Sequence, residues 1–111
     1  MNQLTEGTKY DEGKPRYDLL PAEALEQIVN VYTYGVGKYD AHNWRKGMSL
    51  SRLFSASMRH LWAFWRGEDI DRESGLYHLA HAAFSVCGML QFVLEGRKEL
   101  DDRYSHKRES A

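Results

Sequence analysis

The chain has 111 residues, with 15 Lys and Arg against 16 Asp and Glu, and is 42% hydrophobic and 28% charged. That length fits one domain with little room for a second core, and the apolar fraction is too high for a disordered polymer. One Cys and 2 Pro exclude a disulfide-stapled module and a collagenous chain, while a net charge of −1 argues against a polyanion-binding surface over the whole molecule, though not against a local phosphate pocket.

Residues 1–18 alternate charges with Gly and Pro and read as an extended arm, without the apolar core of a secretory signal. A cytoplasmic, reducing location is the expectation. Residues 19–96 carry helical patterns and form the expected domain, and residues 97–111 are a polar tail that includes His106. The first helix begins around Pro21, whose missing N–H suits a helix start, and shows a stripe of Leu25, Ile28, Val29 and Tyr32. Gly35 is its expected C-terminal cap. Glu23 and Glu26 lie opposite the stripe and read as a solvated face.

A loop from Val36 to Met48 follows. The second helix starts with Ser49 as N-cap and ends at Arg66 before Gly67, with an apolar stripe of Leu50, Leu53, Phe54, Ser57, Leu61 and Phe64 and with His60 at its edge. After an acidic connector, Glu68 to Glu73, Ser74 can cap a third helix that extends to about Glu95. That helix is apolar nearly all round, the mark of an element buried on more than one side. Its run from Leu76 to Leu94 is interrupted by His78, His81, Ser85 and Gln91, which fits a buried helix better than a membrane span. The expected fold is all-α: a small bundle of about three helices, completed by oligomerisation.

Chemistry concentrates in two places. His78 and His81 are three residues apart on one helix face with Ser85, and two imidazoles in an apolar helix need partners. A metal ion supplies one kind of partner, and backbone carbonyls or an interface supply another. His60 together with Glu68, Asp69 and Asp71 offers further ligands for a mixed histidine–carboxylate site. The ordinary alternative for the acids is that they favour a helix N-terminus, which suits Glu73 best. Elsewhere, Lys14, Arg16, Lys38, Arg45 and Arg59 are candidate phosphate contacts, and Tyr39, Asn43 and Trp44 can stack on and hydrogen-bond a base.

Sharper motifs fail. Gly37-Lys38 is not a phosphate loop, because Tyr39 replaces the required Ser or Thr and Tyr32 stands where the first Gly belongs. His81 is followed by Ala82, so no His-Asp phosphohydrolase pair is present, and Cys87 reads as a filler of the apolar core.

Several separated runs nonetheless match one pattern. They are Lys9-Tyr10-Asp11-Glu12-Gly13-Lys14, Arg16-Tyr17-Asp18-Leu19-Leu20-Pro21, and Tyr34-Gly35 through Lys38-Tyr39 and Asn43-Trp44. Arg59-His60-Leu61-Trp62, Gly67-Glu68-Asp69-Ile70-Asp71 through Ser74-Gly75, and His78-Leu79-Ala80-His81-Ala82 complete the set. Over residues 9–94 the chain resembles the phage-enriched family of dATP/dGTP diphosphohydrolase N-terminal domains, which is distantly similar to the MazG-like all-α pyrophosphohydrolases. The resemblance implies cleavage of a purine deoxynucleoside triphosphate to the monophosphate and pyrophosphate, with a divalent ion, Mg²⁺ or Mn²⁺. It implies no membrane and no direct nucleic-acid partner.

The MazG-like pattern has Glu-x-x-Glu on one helix and Glu-x-x-Asp on the next, and here His78 and His81 take the second pair's places while Glu68-x-x-Asp71 lies in a connector. Either the ligands are remodelled toward histidine, favouring manganese or another transition ion, or the kinship is looser. On this reading Glu68 and Asp71 carry the proton chemistry, and His60, Glu68, Asp69, Asp71, His78 and His81 hold the metal. Lys14, Arg16, Lys38, Tyr39, Asn43, Trp44 and Arg59 hold the nucleotide. Two other readings keep part of this pattern: a nucleotide-binding regulatory module without turnover, and a helical phage interaction protein.

Overall fold

A computed structural model describes residues 7–104; the remainder of the predicted arm and tail, His106 included, lies outside the described residues. Three α-helices dominate: α1 (Ala22–Lys38), α2 (Leu50–Trp65) and α3 (His78–Leu94). Short 3₁₀ turns occupy Tyr17–Leu19, Asn43–Lys46 and Lys98–Leu100. The described residues contain no β-strand, only an isolated bridge between Ile70 and Tyr77, so the all-α expectation holds.

Helix α1 starts where Pro21 predicts but runs one turn past Gly35, ending when the Tyr39 N–H bonds the Gly35 carbonyl. Gly35 and Gly37 tolerate helical backbone, and no proline follows to stop the helix earlier. The predicted stripe is rotated. Val31 is the buried residue of α1, while Leu25 and Val29 are exposed and Glu23 and Glu26 face solvent.

Helices α2 and α3 pack closely along their length, and Leu50, Leu53 and Phe92 form the core with Trp44, Met48, Met89 and Leu100 around them. Burying side chains of this size contributes about 1.5–3 kcal/mol each. Gly88 on α3 faces Leu53, whose Cδ1 lies at ordinary van der Waals distance, 3.6 Å, from where a Cβ would stand. Leu50, Leu53 and Ser57 of the predicted α2 stripe are buried, whereas Phe54 and Leu61, expected inside, are exposed and Ala63, outside the stripe, is buried, so the inner face of α2 is narrower than its sequence pattern implies. The outer sides of α2 and α3 leave Phe54, Trp62, Trp65, Val86, Leu90 and Val93 exposed. Cys87, expected in the core, is exposed as well. It stands beside the Tyr32 phenol, at a flank of α3 that α1 only partly covers.

The two ends of α2 are fixed by different devices. Ser49 occupies the N-cap position, but its side chain makes no capping bond. The Asp102 carboxylate does that work, accepting from the Ser51 N–H (2.9 Å) and the Ser51 hydroxyl. A carboxylate at a helix N-terminus satisfies orphan donors and complements the dipole. At the other end Gly67 has φ +104, a conformation that favours glycine, and turns the chain into the connector.

Residues after Gly96, read from sequence as tail, fold back over the loop that precedes α2. Arg97 donates from Nη1 to the Arg45 carbonyl (2.9 Å) and from Nη2 to the Lys46 carbonyl (3.0 Å), with its guanidinium 5.3 Å from the centre of the Phe92 ring. Gly47 makes room for that clamp: its φ is +106, and a Cβ there would stand 2.5 Å from the Arg97 Nη2.

A candidate metal centre beside an aromatic cavity

The connector between α2 and α3 does not become helix at Ser74 as its capping pattern suggests. Helix α3 begins four residues later, at His78. The intervening chain forms a tight loop, in which the Asp71 N–H bonds the Leu76 carbonyl, the Gly75 N–H bonds the Asp71 carbonyl, and the His78 N–H bonds the Asp69 carbonyl. Those bonds win over an early helix start because they satisfy the backbone while placing acids and histidines side by side.

Inside that loop the Asp71 Oδ2 accepts from the Ser74 N–H (3.0 Å) and the Ser74 hydroxyl (2.8 Å). The same hydroxyl oxygen lies 2.7 Å from the His81 Nε2 and accepts from the Leu76 N–H. Because the Ser74 proton goes to Asp71, His81 donates through Nε2, which leaves its Nδ1 as the lone-pair nitrogen. Ser74 is therefore a connecting residue of the site. Its sequence signature, a serine before an apolar helix, is the same as that of a cap.

His60 from α2 completes the cluster. Its Nδ1 is 2.9 Å from the His78 Nδ1, and its ring stacks on His81 at 4.5 Å with 10° between planes. His78 is buried at 6% exposure, and its Nε2 has no hydrogen-bond partner, the nearest acceptor being the Glu68 Oε1 at 3.6 Å. Leaving such an atom unpaired costs about 1–3 kcal/mol. Burial, then the neighbouring His81 and His78, hold the His60 pKa below its ordinary value. Burial likewise lowers His81, against the opposing pull of Asp71. For Asp71, burial pushes upward, but the two Ser74 hydrogen bonds and the nearby histidines outweigh it and keep the carboxylate ionised.

The donor set fits a divalent cation. His60, Asp71 and His78 each offer a ligand atom, all within 4.8 Å of one another. Two nitrogens on adjacent corners of an octahedral ion with bonds of about 2.1 Å stand about 3.0 Å apart, close to the observed His60–His78 separation. Mixed imidazole and carboxylate ligands suit manganese or another transition ion better than magnesium, which prefers oxygen.

His60, Asp71 and His81 of the cluster line a cavity of about 480 Å³ together with Tyr39, Asn43 and Trp44, while His78 and Glu68 are not in its lining. Lys38, Glu73, Tyr32 and Tyr34 also line it, and Tyr34 meets the His81 ring edge-on at 6.4 Å. Tyr32, Tyr34 and Phe84 are not among the predicted site residues: Tyr32 read as part of the α1 apolar stripe and Tyr34 only as part of a family motif. Trp44 is half-buried, with the Arg45 guanidinium 4.5 Å from its ring centre and Phe92 and Tyr32 against it, so it anchors the loop; Tyr39 is the freer flat face. His42 holds this turn in a left-handed conformation (φ 64) and accepts from the Arg45 Nε at 2.9 Å.

Other predicted site residues lie apart. Asp69 contributes its backbone carbonyl, and its side chain is outside the ligand group. Arg59 is exposed and does not line the cavity, and neither do Lys14 and Arg16 in the arm, where Arg16 pairs with Asp18 at 2.7 Å.

Fold and site together define an all-α domain with a histidine–carboxylate centre in the wall of an aromatic-lined cavity. The chain belongs to the family of dATP/dGTP diphosphohydrolase N-terminal domains, whose profile matches residues 5–103. A protein of Salmonella phage PMBT28 named dATP/dGTP diphosphohydrolase is 35% identical over 97 residues, covering 87% of this chain and 33% of the phage protein. The chain thus spans about a third of the length of that curated relative. No solved structure matches it. The family expected from the sequence motifs is the family found.

Proposed function

We propose that this domain houses the metal-dependent centre of a pyrophosphohydrolase that converts dGTP or dATP to the monophosphate and pyrophosphate. The observation that carries the reading is the juxtaposition of the His60–Asp71–His78 ligand group with a cavity of nucleotide size lined by Lys38, Tyr39 and Asn43. Family membership and the name of the phage relative support the substrate class.

His60, His78 and Asp71 would hold a divalent ion, with Glu68, Asp69 and His81 as neighbours able to join them. Such an ion supplies Lewis-acid polarisation of a phosphoryl oxygen and acidifies a water nucleophile. The two catalytic carboxylates divide their tasks by environment. Asp71, held ionised by Ser74, is a weak base and a good ligand. Glu68, half-exposed, 3.6 Å from the His78 Nε2 and 3.5 Å from the Arg72 Nε, is the other carboxylate beside the centre and would accept the proton of the attacking water. Lys38 takes the phosphates, while Tyr39 stacks on the base and Asn43 reads its edge. Lys14, Arg16 and Arg59 would reach the phosphates only after the arm or α2 side chains move toward the cavity.

The exposed apolar sides of α2 and α3 are the basis for proposing a homo-oligomer. None of the helices among the described residues is long and apolar enough to cross a membrane, and we place the activity in the cytoplasm. Purified protein incubated with dGTP or dATP and Mn²⁺ should release pyrophosphate. Absence of pyrophosphate from either substrate, with Mn²⁺ and with Mg²⁺, would overturn the hydrolytic reading.

A further inference from the structure

Lys38 is the sole Lys or Arg among the described residues that line the cavity, and it is already engaged. Its Nζ lies 3.3 Å from the Glu73 Oε1, joining the last residue of α1 to the connector 35 positions away in sequence. The ammonium also lies 5.6 Å from the centre of the Tyr34 ring and 5.7 Å from that of Tyr39, so two aromatic faces help to hold it. Glu73 is two residues beyond Asp71 and shares the cavity lining with it. The role that sequence offered Glu73, favouring the start of α3, lapses because that helix begins only at His78.

We infer that the Lys38–Glu73 ion pair is a substrate-exchanged latch: an arriving polyphosphate takes the Lys38 ammonium from Glu73, and the displaced carboxylate leaves the phosphate path. The inference rests on the nucleotide reading above and deepens it. In the unliganded state Glu73 supplies the negative charge that the phosphates supply in the complex. Both side chains are largely exposed, so the pair is weak enough to be exchanged by a polyanion rather than to exclude it. A carboxylate in this place also selects against weakly charged ligands, since a neutral nucleoside offers Lys38 nothing in return.

The test is calorimetric titration, in Mn²⁺, of a dGTP analogue with a non-hydrolysable α–β bridge into wild type, Glu73→Gln, Lys38→Met and the double variant. Removing the competitor should tighten binding about two- to fivefold in Glu73→Gln, the range set by an exposed ion pair. Lys38→Met should weaken binding, and adding Glu73→Gln to it should change little more, because the competition needs the ammonium.

Unchanged or weaker binding in Glu73→Gln overturns the latch. So does tightening of equal size with and without Lys38, which marks a general field effect. If wild type binds no triphosphate at all, the nucleotide reading falls and takes the latch with it. If wild type binds and the variants show no coupling, the latch alone falls. Circular dichroism of each variant checks that helicity is retained.

Discussion

Removing Arg97 should loosen the loop that precedes α2 as well as the fold. The guanidinium makes two charge-assisted hydrogen bonds, to the Arg45 and Lys46 carbonyls at 2.9 and 3.0 Å, and its side chain is only 24% exposed. Bonds to charged groups contribute about 1.5–3 kcal/mol each when buried; partial exposure and non-additivity bring the expected cost of Arg97→Ala to about 2–3 kcal/mol. For a domain of this size that corresponds to a fall in Tm of roughly 8–20 °C. Arg97→Lys, a point charge without the fork, should recover less than half. Thermal denaturation measures the loss, and amide exchange at Asn43 and Trp44 should accelerate together with it because the clamp holds the turn that carries them. A Tm within about 3 °C of wild type, with unchanged exchange in that turn, would refute the clamp.

Ser74→Ala should cost about 1–2 kcal/mol and raise the Asp71 pKa, read as a shift in its carboxyl resonance during acid titration, since the bond that the Ser74 hydroxyl donates to Asp71 vanishes together with those it accepts from His81 and the Leu76 N–H. An unshifted Asp71 titration would contradict the role assigned to that hydroxyl. The metal-free protein should lose stability as pH falls. His60 and His81 are held neutral in the fold, so the unfolded chain takes up protons first, below about 6.5, and stability present above that value declines until the folded-state histidines also titrate. Thermal melts of metal-free protein from about pH 8 to about pH 5.5 check the direction, and a flat profile over that window would count against it. Sedimentation should give a mass that is a multiple of the chain's, and Leu90→Lys, placing a charge on the exposed apolar side of α3, should yield monomer; a monomeric wild type would remove the proposed oligomer.

Helical content and the C-terminal ends of α2 and α3 were legible because apolar spacing, Gly67 and Gly96 are local signals. The pairing of His60 with His78 was legible in outline, since both lie on inward faces of adjacent helices. Burial was harder: Phe54 and Leu61 look like core residues to any hydropathy pattern, yet Val31 goes inside and they do not, because burial depends on which helix faces meet. Ser74 and Glu73 were misassigned for one shared reason. A serine and an acid before an apolar run are the standard signature of a helix start, and the backbone bonds of the connector, which postpone that start to His78, have no sequence signature of their own. The Arg97 clamp and the Asp102 cap were invisible because they join residues about fifty positions apart through a segment whose polarity reads as tail.

The central claim is that His60, Asp71 and His78 form a cation site. Calorimetric titration of Mn²⁺ into metal-stripped wild type and into His78→Ala tests it most directly. Wild type should bind one ion per chain, and His78→Ala should bind it at least about tenfold more weakly. Equal affinity in both proteins, or no binding by a folded wild type, would contradict it.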